Sequence, residues 1–289
     1  MIQGMRKGFP LWQGKVQMGR DGGVSMEDRF EFGENWKKLL GVLSKERIAE
    51  AEKSLSDWLE MEDLTGKSFL DIGSGSGLFS LAARNLGAEV FSFDYDPESV
   101  ACTSYLKEKF FAGDNKWHVG IGDILNEEYL SCLDKFDIVY SWGVLHHTGN
   151  MYQSFENVDK LVADNGKLFI AIYNDQGRRS RQWRKIKRSY NRCPKALRFL
   201  ILFPCFVKLW FPTFTYDFLK GKPFATWKTY VKNRGMSPWR DVVDWVGGYP
   251  FEVAKPEEVF DFFHDRGYIL DRLKTDGKGL GCNQFVFQK

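Results

Sequence analysis

The central part of the chain alternates short apolar runs with segments of helical periodicity. Helical patterns near 77–86, 98–110, 126–133 and 151–163 separate runs that have the length and composition of buried strands. The runs are Ser68–Ile72, Glu89–Phe93, Trp117–Ile121, Phe136–Tyr140 and Lys167–Tyr173. Strands that alternate with helices predict a parallel sheet with helices on both faces and right-handed connections.

The flanking segments divide the rest of the chain. Apolar residues recur every three or four positions from Trp36 to Leu59, which predicts a helical region that begins near Glu34 or Asn35, after a loose glycine-rich arm. The alternation stops after Tyr173 and resumes with a helix from Pro256 and two strands, Tyr268–Lys274 and Gly281–Phe287. The expected units are an N-terminal arm with helices (1–65), an α/β core (66–176), an insertion (177–250) and a C-terminal helix with the last two strands (251–289).

The first strand runs into a glycine-rich turn. Its sequence is Asp71-Ile72-Gly73-Ser74-Gly75-Ser76-Gly77. Glycine lets the backbone come close to a ligand, and ligands of open α/β sheets bind beyond the carboxyl ends of the strands. A dinucleotide turn would follow G-x-G-x-x-G, but here the third glycine comes one residue early. Asp71 would repel a phosphate and attract an ammonium group, so the turn favours S-adenosylmethionine.

Acidic residues also follow the next two strands. Asp94, with Tyr95 beside it, ends the second strand, where a carboxylate can accept both hydroxyls of a ribose. Asp123 follows the third strand and can accept from an adenine amino group while Ile124 packs on the ring. These four residues and the glycine turn are the predicted cofactor site.

Taken in order, these motifs resemble class I S-adenosylmethionine-dependent methyltransferases. The matching residues are the run 71–77, Asp94, Gly122-Asp123 and Phe136-Asp137-Ile138-Val139. The resemblance covers residues 66–175 and, more weakly, the last two strands. It implies a Rossmann-like, seven-stranded and mostly parallel sheet with helices on both faces. In that family the last strand is antiparallel and lies beside the fifth, a place that Gly281–Phe287 would take.

Candidate chemistry follows the fourth strand, at Tyr140-Ser141-Trp142-Gly143-Val144-Leu145-His146-His147. Ser141 and Trp142 are expected beside the cofactor. Methyl transfer to a hydroxyl requires a positioned acceptor and a group that removes its proton, and histidine suits that role near neutral pH. Val144-Leu145-His146 resembles a motif of plant-type small-molecule O-methyltransferases in which the corresponding histidine is the base. His146, His147 and Tyr173 are the candidate catalytic residues, and a local capping role for the histidines stays open.

The acceptor is expected to contact residues after the fifth strand and within the insertion. The candidates are Asn174, Gln176, Arg240, Trp245 and Tyr249. A hydrogen-bonded loop that leads into the insertion is the alternative for the residues after the fifth strand. The N-terminal arm and helices of residues 1–65 are expected to cover the cofactor site. Within them, Phe32 and Trp36 either fold over the cofactor, as in many members of this class, or belong to the core. No two cysteines lie at the spacing of metal ligands, and no metal ion is expected.

Charge is unevenly distributed along the 289 residues. The net charge is only +3, yet the stretch from Gln176 to Tyr216 holds 11 Lys and Arg and no Asp or Glu. Aromatic and aliphatic residues follow it from Ala196 to Phe218. Three interpretations, in order of preference, are a cap that closes the acceptor pocket, a surface that contacts an anionic membrane, and an RNA-binding segment. In the first, the apolar side of the stretch that contains Phe199–Phe203 is expected to pack over the carboxyl end of the sheet, above His146 and Tyr173. The longest apolar run, Phe199–Phe214, contains two prolines and a lysine, which makes it a poor membrane span.

The remaining features concern location and function. The five scattered cysteines are typical of a reduced, intracellular protein, and the first residues do not resemble a signal peptide, so a cytoplasmic or peripheral membrane location is expected. The expected function is methyl transfer from S-adenosylmethionine to a hydroxyl of a small or lipid-like acceptor. An RNA (tRNA) methyltransferase and a non-catalytic cofactor- or partner-binding protein are the alternatives. The sequence does not indicate an oligomeric state.

Overall fold

A computed structural model describes residues 43–234, 237–277 and 279–289, so the N-terminal arm, Phe32 and Trp36 lie outside the described residues. The strands are β1 Ser68–Ile72, β2 Glu89–Asp94, β3 Trp117–Ile121, β4 Phe136–Trp142, β5 Val162–Tyr173, β6 Ile269–Lys274 and β7 Cys282–Gln288. They form one sheet in the order β3-β2-β1-β4-β5-β7-β6. The first five strands are parallel, and β7 is antiparallel to both β5 and β6. This confirms the expected sheet, including the antiparallel last strand beside the fifth.

Helices cover both faces of the sheet. They are α1 Lys45–Leu59, α2 Leu78–Asn85, α3 Pro97–Phe111, α4 Glu127–Leu130, α5 Met151–Leu161, α6 Arg178–Arg192, α7 Arg198–Leu219, α8 Ala225–Arg234, α9 Pro238–Gly247 and α10 Pro256–His264. Neighbouring residues of β1 point to opposite faces: Phe69 packs with α1, α2 and α3, whereas Leu70 packs with α4, α5 and α10. Because both faces of the sheet are covered by helices, the strand sequences are continuous apolar runs rather than alternating ones.

The first described helix, α1, lies in a different place from the one expected for the N-terminal helices. Ser44 is extended (φ −116°, ψ 163°), and its hydroxyl accepts from the N–H of Arg47, so α1 begins at Lys45, whereas the expected start near Glu34 or Asn35 lies outside the described residues. Its apolar side lies on a face of the sheet, where Trp58 stacks on Phe169 with 5.1 Å between ring centroids. The described helix of this region therefore packs on the sheet face instead of covering the carboxyl edge.

The fifth strand begins earlier than its apolar run suggests. Val162, which the helical pattern included, already pairs with Phe136, and the pairing continues from Lys167 opposite Ile138 after an irregularity. The β-branched Val162 takes an extended conformation directly after the last turn of α5. The predicted helix 151–163 therefore ends at Leu161.

The insertion forms a separate group of four helices between β5 and α10. Helices α6 to α9 pack around their own aromatic cluster, whose buried members include Trp183, Tyr190, Trp210 and Phe251. The helices that reach the carboxyl edge of the sheet are α6 and α9, because Trp183 and Trp245 pack against each other and Trp245 contacts Tyr173.

The apolar helix α7 was expected over this edge, and that expectation is wrong. One side of α7 packs on α6, α8 and α9, and its other side, which includes Phe203, is exposed. The apolar side of the basic helix α6 occupies the position expected for α7.

Candidate active site

The glycine turn after β1 packs tightly against its neighbours. Gly73 and Gly77 have φ of 74° and 78°, a region that favours glycine. A Cβ on Gly73 would lie 2.4 Å from Val144 Cγ1, and one on Gly77 would lie 2.8 Å from Thr103 Cα. The N–H groups of Gly73 and Ser74 both donate to the carbonyl of Phe93 at the end of β2. The turn is thus held between β2, α3 and the loop after β4.

Asp94 organises the next loop at this edge. Its Oδ2 accepts from the N–H of Gly75 and its Oδ1 from the N–H of Asp96, both at 2.9 Å. A carboxylate has about four acceptor positions, so each oxygen keeps capacity for a ligand hydroxyl. Burial raises the pKa of Asp94 to about 6, although the side chain is only partly shielded from solvent.

Asp71 lies below the turn and anchors a buried polar chain. The Ser80 hydroxyl donates to Asp71 Oδ2 at 2.5 Å, the hydroxyls of Ser80 and Ser92 are 2.8 Å apart, and Trp117 Nε1 donates to Ser92. Burial raises the pKa of Asp71 to about 7, and the nearby charge of Asp94 raises it further. Two carboxyl groups that disfavour each other's charge would be stabilised by a bound cation.

These observations test whether the site suits the expected cofactor. S-adenosylmethionine carries a cationic amino-acid ammonium and sulfonium, and its ribose offers two hydroxyl donors. The acidic pair of Asp71 and Asp94 suits the cations, the remaining capacity of Asp94 suits the ribose, and the glycine turn admits close approach of a ligand. The residues fit the cofactor.

The other predicted cofactor residues differ in how the structure uses them. Tyr95 and Asp123 lie partly exposed at the same edge, and Asp123 Oδ1 accepts from the N–H of Leu125. Ser141 is buried and donates to the carbonyl of Ile72, which joins the ends of β4 and β1. Ile124 is only 3% exposed and packs in the core, so its side chain offers little surface to an adenine ring.

Trp142 is directed away from the glycine turn. Its indole Nε1 donates to Gln284 in β7 at 3.3 Å. In the sheet order, β7 and β1 lie on opposite sides of β4. The cofactor contact predicted for Trp142 therefore disagrees with its position, because its ring extends across β5.

His146 is fully buried and has a defined hydrogen bond. The N–H of Tyr173 donates to its Nδ1 at 3.3 Å, and its ring lies 3.9 Å from the Tyr173 ring. Accepting at Nδ1 places the hydrogen of the neutral ring on Nε2. Burial holds the pKa of His146 well below its usual range. The ring is thus arranged as a hydrogen-bond donor at Nε2, and that buried atom has no partner among the described residues.

His147 has the opposite arrangement. Its Nδ1–H donates to the carbonyl of Pro250 at 2.6 Å, which leaves the lone pair of the neutral ring on Nε2. Burial lowers its pKa to about 3, and the positive charge of Lys187 lowers it further. His147 therefore stays neutral throughout the physiological pH range. Of the two histidines, His147 has the tautomer and orienting hydrogen bond of a general base.

Tyr173 joins the histidines to the cap. Its ring contacts His146, His147, Trp245 and Phe251, with centroid distances of 3.9, 5.4, 5.6 and 5.3 Å. Burial raises the pKa of the Tyr173 hydroxyl. A phenol that resists ionisation is suited to contact and hydrogen bonding rather than to proton removal near neutral pH.

Two of the predicted acceptor contacts support a loop instead. Asn174 Nδ2 donates to the carbonyl of Gly277, and its Oδ1 accepts from Asn283. Gln176 Nε2 also donates to the carbonyl of Gly277. These amides hold the loop between β6 and β7, so contact with an acceptor stays a prediction for both.

The three predicted residues of the cap separate in space. Trp245 contacts Tyr173, and Tyr249 directly precedes the Pro250 carbonyl that binds His147. Arg240 lies in the first turn of α9, where its N–H donates to Ser237. At about 100° per residue, Arg240 and Trp245 point to sides of α9 that differ by about 140°. The structure thus brings Trp245 to the site and directs Arg240 elsewhere.

Two residues near the site were not anticipated from the sequence. Lys187 is fully buried, and its Nζ donates to the carbonyl of Trp245 and lies 4.1 Å from the Trp245 ring centroid. Burial lowers the pKa of Lys187 to about 7. The sequence did contain an indication of this burial, since Lys187 lies on the same side of the helix as Trp183 and Tyr190.

Glu252 is the second such residue. Its N–H donates to the carbonyl of His146, and its buried Oε2 has no partner among the described residues. Burial raises the pKa of Glu252. Within the described part of the chain, no group of three or more His, Cys, Asp or Glu side chains is arranged to hold a metal ion.

The fold and the site define a class of protein: an α/β enzyme domain with the cofactor site of the methyltransferases at the carboxyl edge of its sheet. Residues 63–231 match the family described as Methyltransferase domain. This chain belongs to that family, and S-adenosylmethionine is its cofactor.

Individual relatives match smaller parts of the chain. A ubiquinone biosynthesis O-methyltransferase of Glaesserella parasuis is 29% identical over 111 residues, which are 38% of this chain and 47% of that protein. A tRNA U34 carboxymethyltransferase of Methylococcus capsulatus is 29% identical over 119 residues, 41% of this chain and 36% of that protein. The chain spans about half the length of the first of these curated relatives. Among solved structures, the magnesium protoporphyrin IX methyltransferase of Synechocystis PCC 6803 covers 93% of this chain and 90% of its own, with 15% identity and a TM-score of 0.47.

Proposed function

We propose that the protein transfers a methyl group from S-adenosylmethionine to a hydroxyl of a small or lipid-like acceptor, with His147 as the general base. The observation that carries the proposal is the hydrogen bond that His147 Nδ1 donates to the Pro250 carbonyl, because it orients the ring and sets the tautomer that a general base requires. The similarity to a ubiquinone biosynthesis O-methyltransferase supports a hydroxyl oxygen as the acceptor atom.

Buried donors around Tyr173 support an oxygen-bearing acceptor. His146 Nε2 and Trp245 Nε1 are buried and lack a partner among the described residues, and both rings contact Tyr173. A buried donor without an acceptor is costly, so such atoms mark places where a ligand or water binds. A hydroxyl beside a second oxygen would satisfy these donors while it faces His147.

The cofactor supplies an activated methyl group on a sulfonium. The chain's own residues then have three tasks. Asp94 and the glycine turn bind and orient the cofactor, the rings of Tyr173 and Trp245 exclude water from the acceptor, and His147 accepts the hydroxyl proton at Nε2.

The test uses methyl-labelled S-adenosylmethionine with catechol, phenol, a catechol that carries an alkyl tail, and bulk tRNA as acceptors. Labelling of the catechols is expected. His147→Ala should lower kcat by roughly 10²–10⁴, the usual contribution of a general base, with cofactor affinity unchanged by calorimetry. His264→Ala is the matched control, since His264 is exposed at the end of α10. Full turnover of His147→Ala would contradict the assignment of the base.

A second candidate function is RNA methylation, which one observation favours. Helix α6 carries seven exposed cations, of which Arg184 donates from Nε to the carbonyl of Phe251: Arg178, Arg179, Arg181, Arg184, Lys185, Arg188 and Arg192. Such a row can neutralise phosphates, and one relative acts on tRNA by its name. Labelling of tRNA but not of the phenols would establish this alternative. Cofactor binding without labelling of any acceptor would favour the non-catalytic alternative.

A further inference from the structure

The outward side of α7 is apolar although it faces solvent. Leu200, Phe211 and Phe218 are 66%, 65% and 73% exposed, and Phe203 and Val207 are also exposed. At about 100° per residue these five positions lie within about 80° of one another, so they form one stripe along the helix. We call it the α7 stripe. A solvated helix face normally carries polar residues, and a contiguous apolar surface of this kind marks an interaction site.

Cations border the α7 stripe on one side. Helix α6 lies along α7, as shown by Lys208 Nζ at 5.7 Å from the Trp183 ring centroid and by the Arg198 guanidinium at 5.1 Å from the Tyr190 ring centroid. Lys208 itself is exposed. All of the seven exposed cations of α6 except Arg179 and Arg184 lie within about 80° of one another on its outer side. No acidic residue occurs between Gln176 and Tyr216 to offset them.

Cations also stand at both ends of the stripe. Lys195 precedes it, and Lys220 and Lys222 follow it, all with exposed side chains. An apolar surface framed by positive charge is complementary to a bilayer that presents hydrocarbon beneath anionic headgroups. We propose that the α7 stripe docks the protein on the surface of an anionic phospholipid membrane.

Helix α7 lies on such a membrane rather than across it. The segment Lys195–Leu219 is long enough to span a bilayer, and an 18-residue stretch of it has a mean hydropathy of 1.5. Its other side, however, packs on α6, α8 and α9 through Leu202, Cys205 and Trp210. A spanning position would carry the arginines of α6 into hydrocarbon, which is costly. An interfacial position buries the α7 stripe and leaves these arginines at the headgroups.

The far end of the stripe offers additional apolar surface. An open concavity of 290 Å³ lies there and is lined by Phe211, Phe214, Thr215, Phe218, Pro223 and Phe224. Its lining is almost entirely carbon, which suits contact with lipid tails. The concavity extends the docking surface from α7 to the start of α8.

The test measures co-sedimentation of the full chain with vesicles of phosphatidylcholine alone and of phosphatidylcholine with one quarter phosphatidylglycerol. The anionic vesicles should bind the protein, the neutral ones should bind at least roughly tenfold less, and added salt should weaken binding. Phe211→Asp with Phe218→Asp should lower the partition coefficient by roughly tenfold or more, since two large apolar groups leave the interface. Arg181→Gln with Arg188→Gln should lower it by roughly fivefold for each charge.

The matched control is Phe110→Asp, which alters an exposed phenylalanine of α3, outside the stripe. Every variant is checked for an unchanged melting temperature and S-adenosylmethionine affinity, so that loss of docking is separated from loss of folding or of the cofactor site. The measurement uses no acceptor and is therefore independent of the proposed reaction.

Three outcomes would overturn the proposal. The first is equal binding of the double aspartate variant and the wild-type chain to the anionic vesicles. The second is a wild-type dimer that this variant dissociates, without vesicle binding, because a second copy would then cover the stripe. The third is binding of an RNA oligonucleotide that is tighter than vesicle binding and depends on the same residues.

Discussion

Replacing Gly73 by alanine should both destabilise the fold and damage the cofactor site. The residue has φ of 74°, and a left-handed conformation costs a non-glycine residue about 1–2 kcal/mol. The new Cβ would also lie 2.4 Å from Val144 Cγ1 and 2.6 Å from Cγ2, closer than Cβ atoms approach other atoms. Relieving such overpacking typically costs a further 1–3 kcal/mol. The expected loss in the free energy of unfolding is therefore about 2–5 kcal/mol.

A matched glycine separates the two contributions. Gly113 has φ of 72° in the turn after α3, and a Cβ there would meet nothing within 4 Å. Gly113→Ala should therefore cost only the conformational part, about 1–2 kcal/mol. The difference between the two variants, measured by urea denaturation, isolates the contact with Val144.

Val144→Ala in the Gly73→Ala background provides a second check. It removes the two Cγ atoms that the new Cβ meets, so it should recover part of the stability that Gly73→Ala loses. Calorimetry should show weaker S-adenosylmethionine binding for Gly73→Ala and unchanged binding for Gly113→Ala. Equal losses of stability for the two glycine variants, or no recovery with Val144→Ala, would refute the reasoning.

Two further predictions depend on titration. Cofactor affinity should fall by up to about tenfold per pH unit below about pH 6. Burial raises the pKa of Asp94 to about 6, so its carboxylate becomes protonated below that pH and loses acceptor capacity. Titration calorimetry of Asp94→Asn should show weak cofactor binding without this pH dependence. Lys187→Met should stabilise the protein at neutral pH, since burial lowers the pKa of Lys187 to about 7 and the unfolded chain binds its proton more readily. The free energy of unfolding of the wild-type chain should rise between about pH 7 and the unfolded pKa of Lys187 near 10, because the lysine loses its charge over that range. The extra stability of Lys187→Met, measured by denaturant titration, should therefore shrink as the pH rises. A difference that stays constant with pH would contradict the burial of a charged lysine.

Local patterns were sufficient for the core of this protein. The five parallel strands, the glycine turn and the acidic residues after β2 and β3 could be located because period-two or continuous apolar runs and glycine spacing are properties of neighbouring residues. Placing Asp94 and Asp123 at one edge followed from strand direction alone, since parallel strands end on the same side. The start of β5 was missed because Val162 is compatible with a helix and with a strand, and only its pairing with Phe136 decides.

Contacts between segments that are distant in sequence determined the arrangement of the candidate active site and of the insertion. The tautomer of His147 depends on Pro250, 103 positions away, and that of His146 on the backbone of Tyr173. Lys187 is buried because α6 packs against α9, and the α7 stripe is exposed because α6, rather than α7, packs at the carboxyl edge of the sheet. Periodicity shows which side of a helix is apolar, but α7 is apolar on both sides, so its sequence could not indicate which side would face the protein. That choice follows from which helices compete for the limited surface at the carboxyl edge, and only tertiary packing determines it.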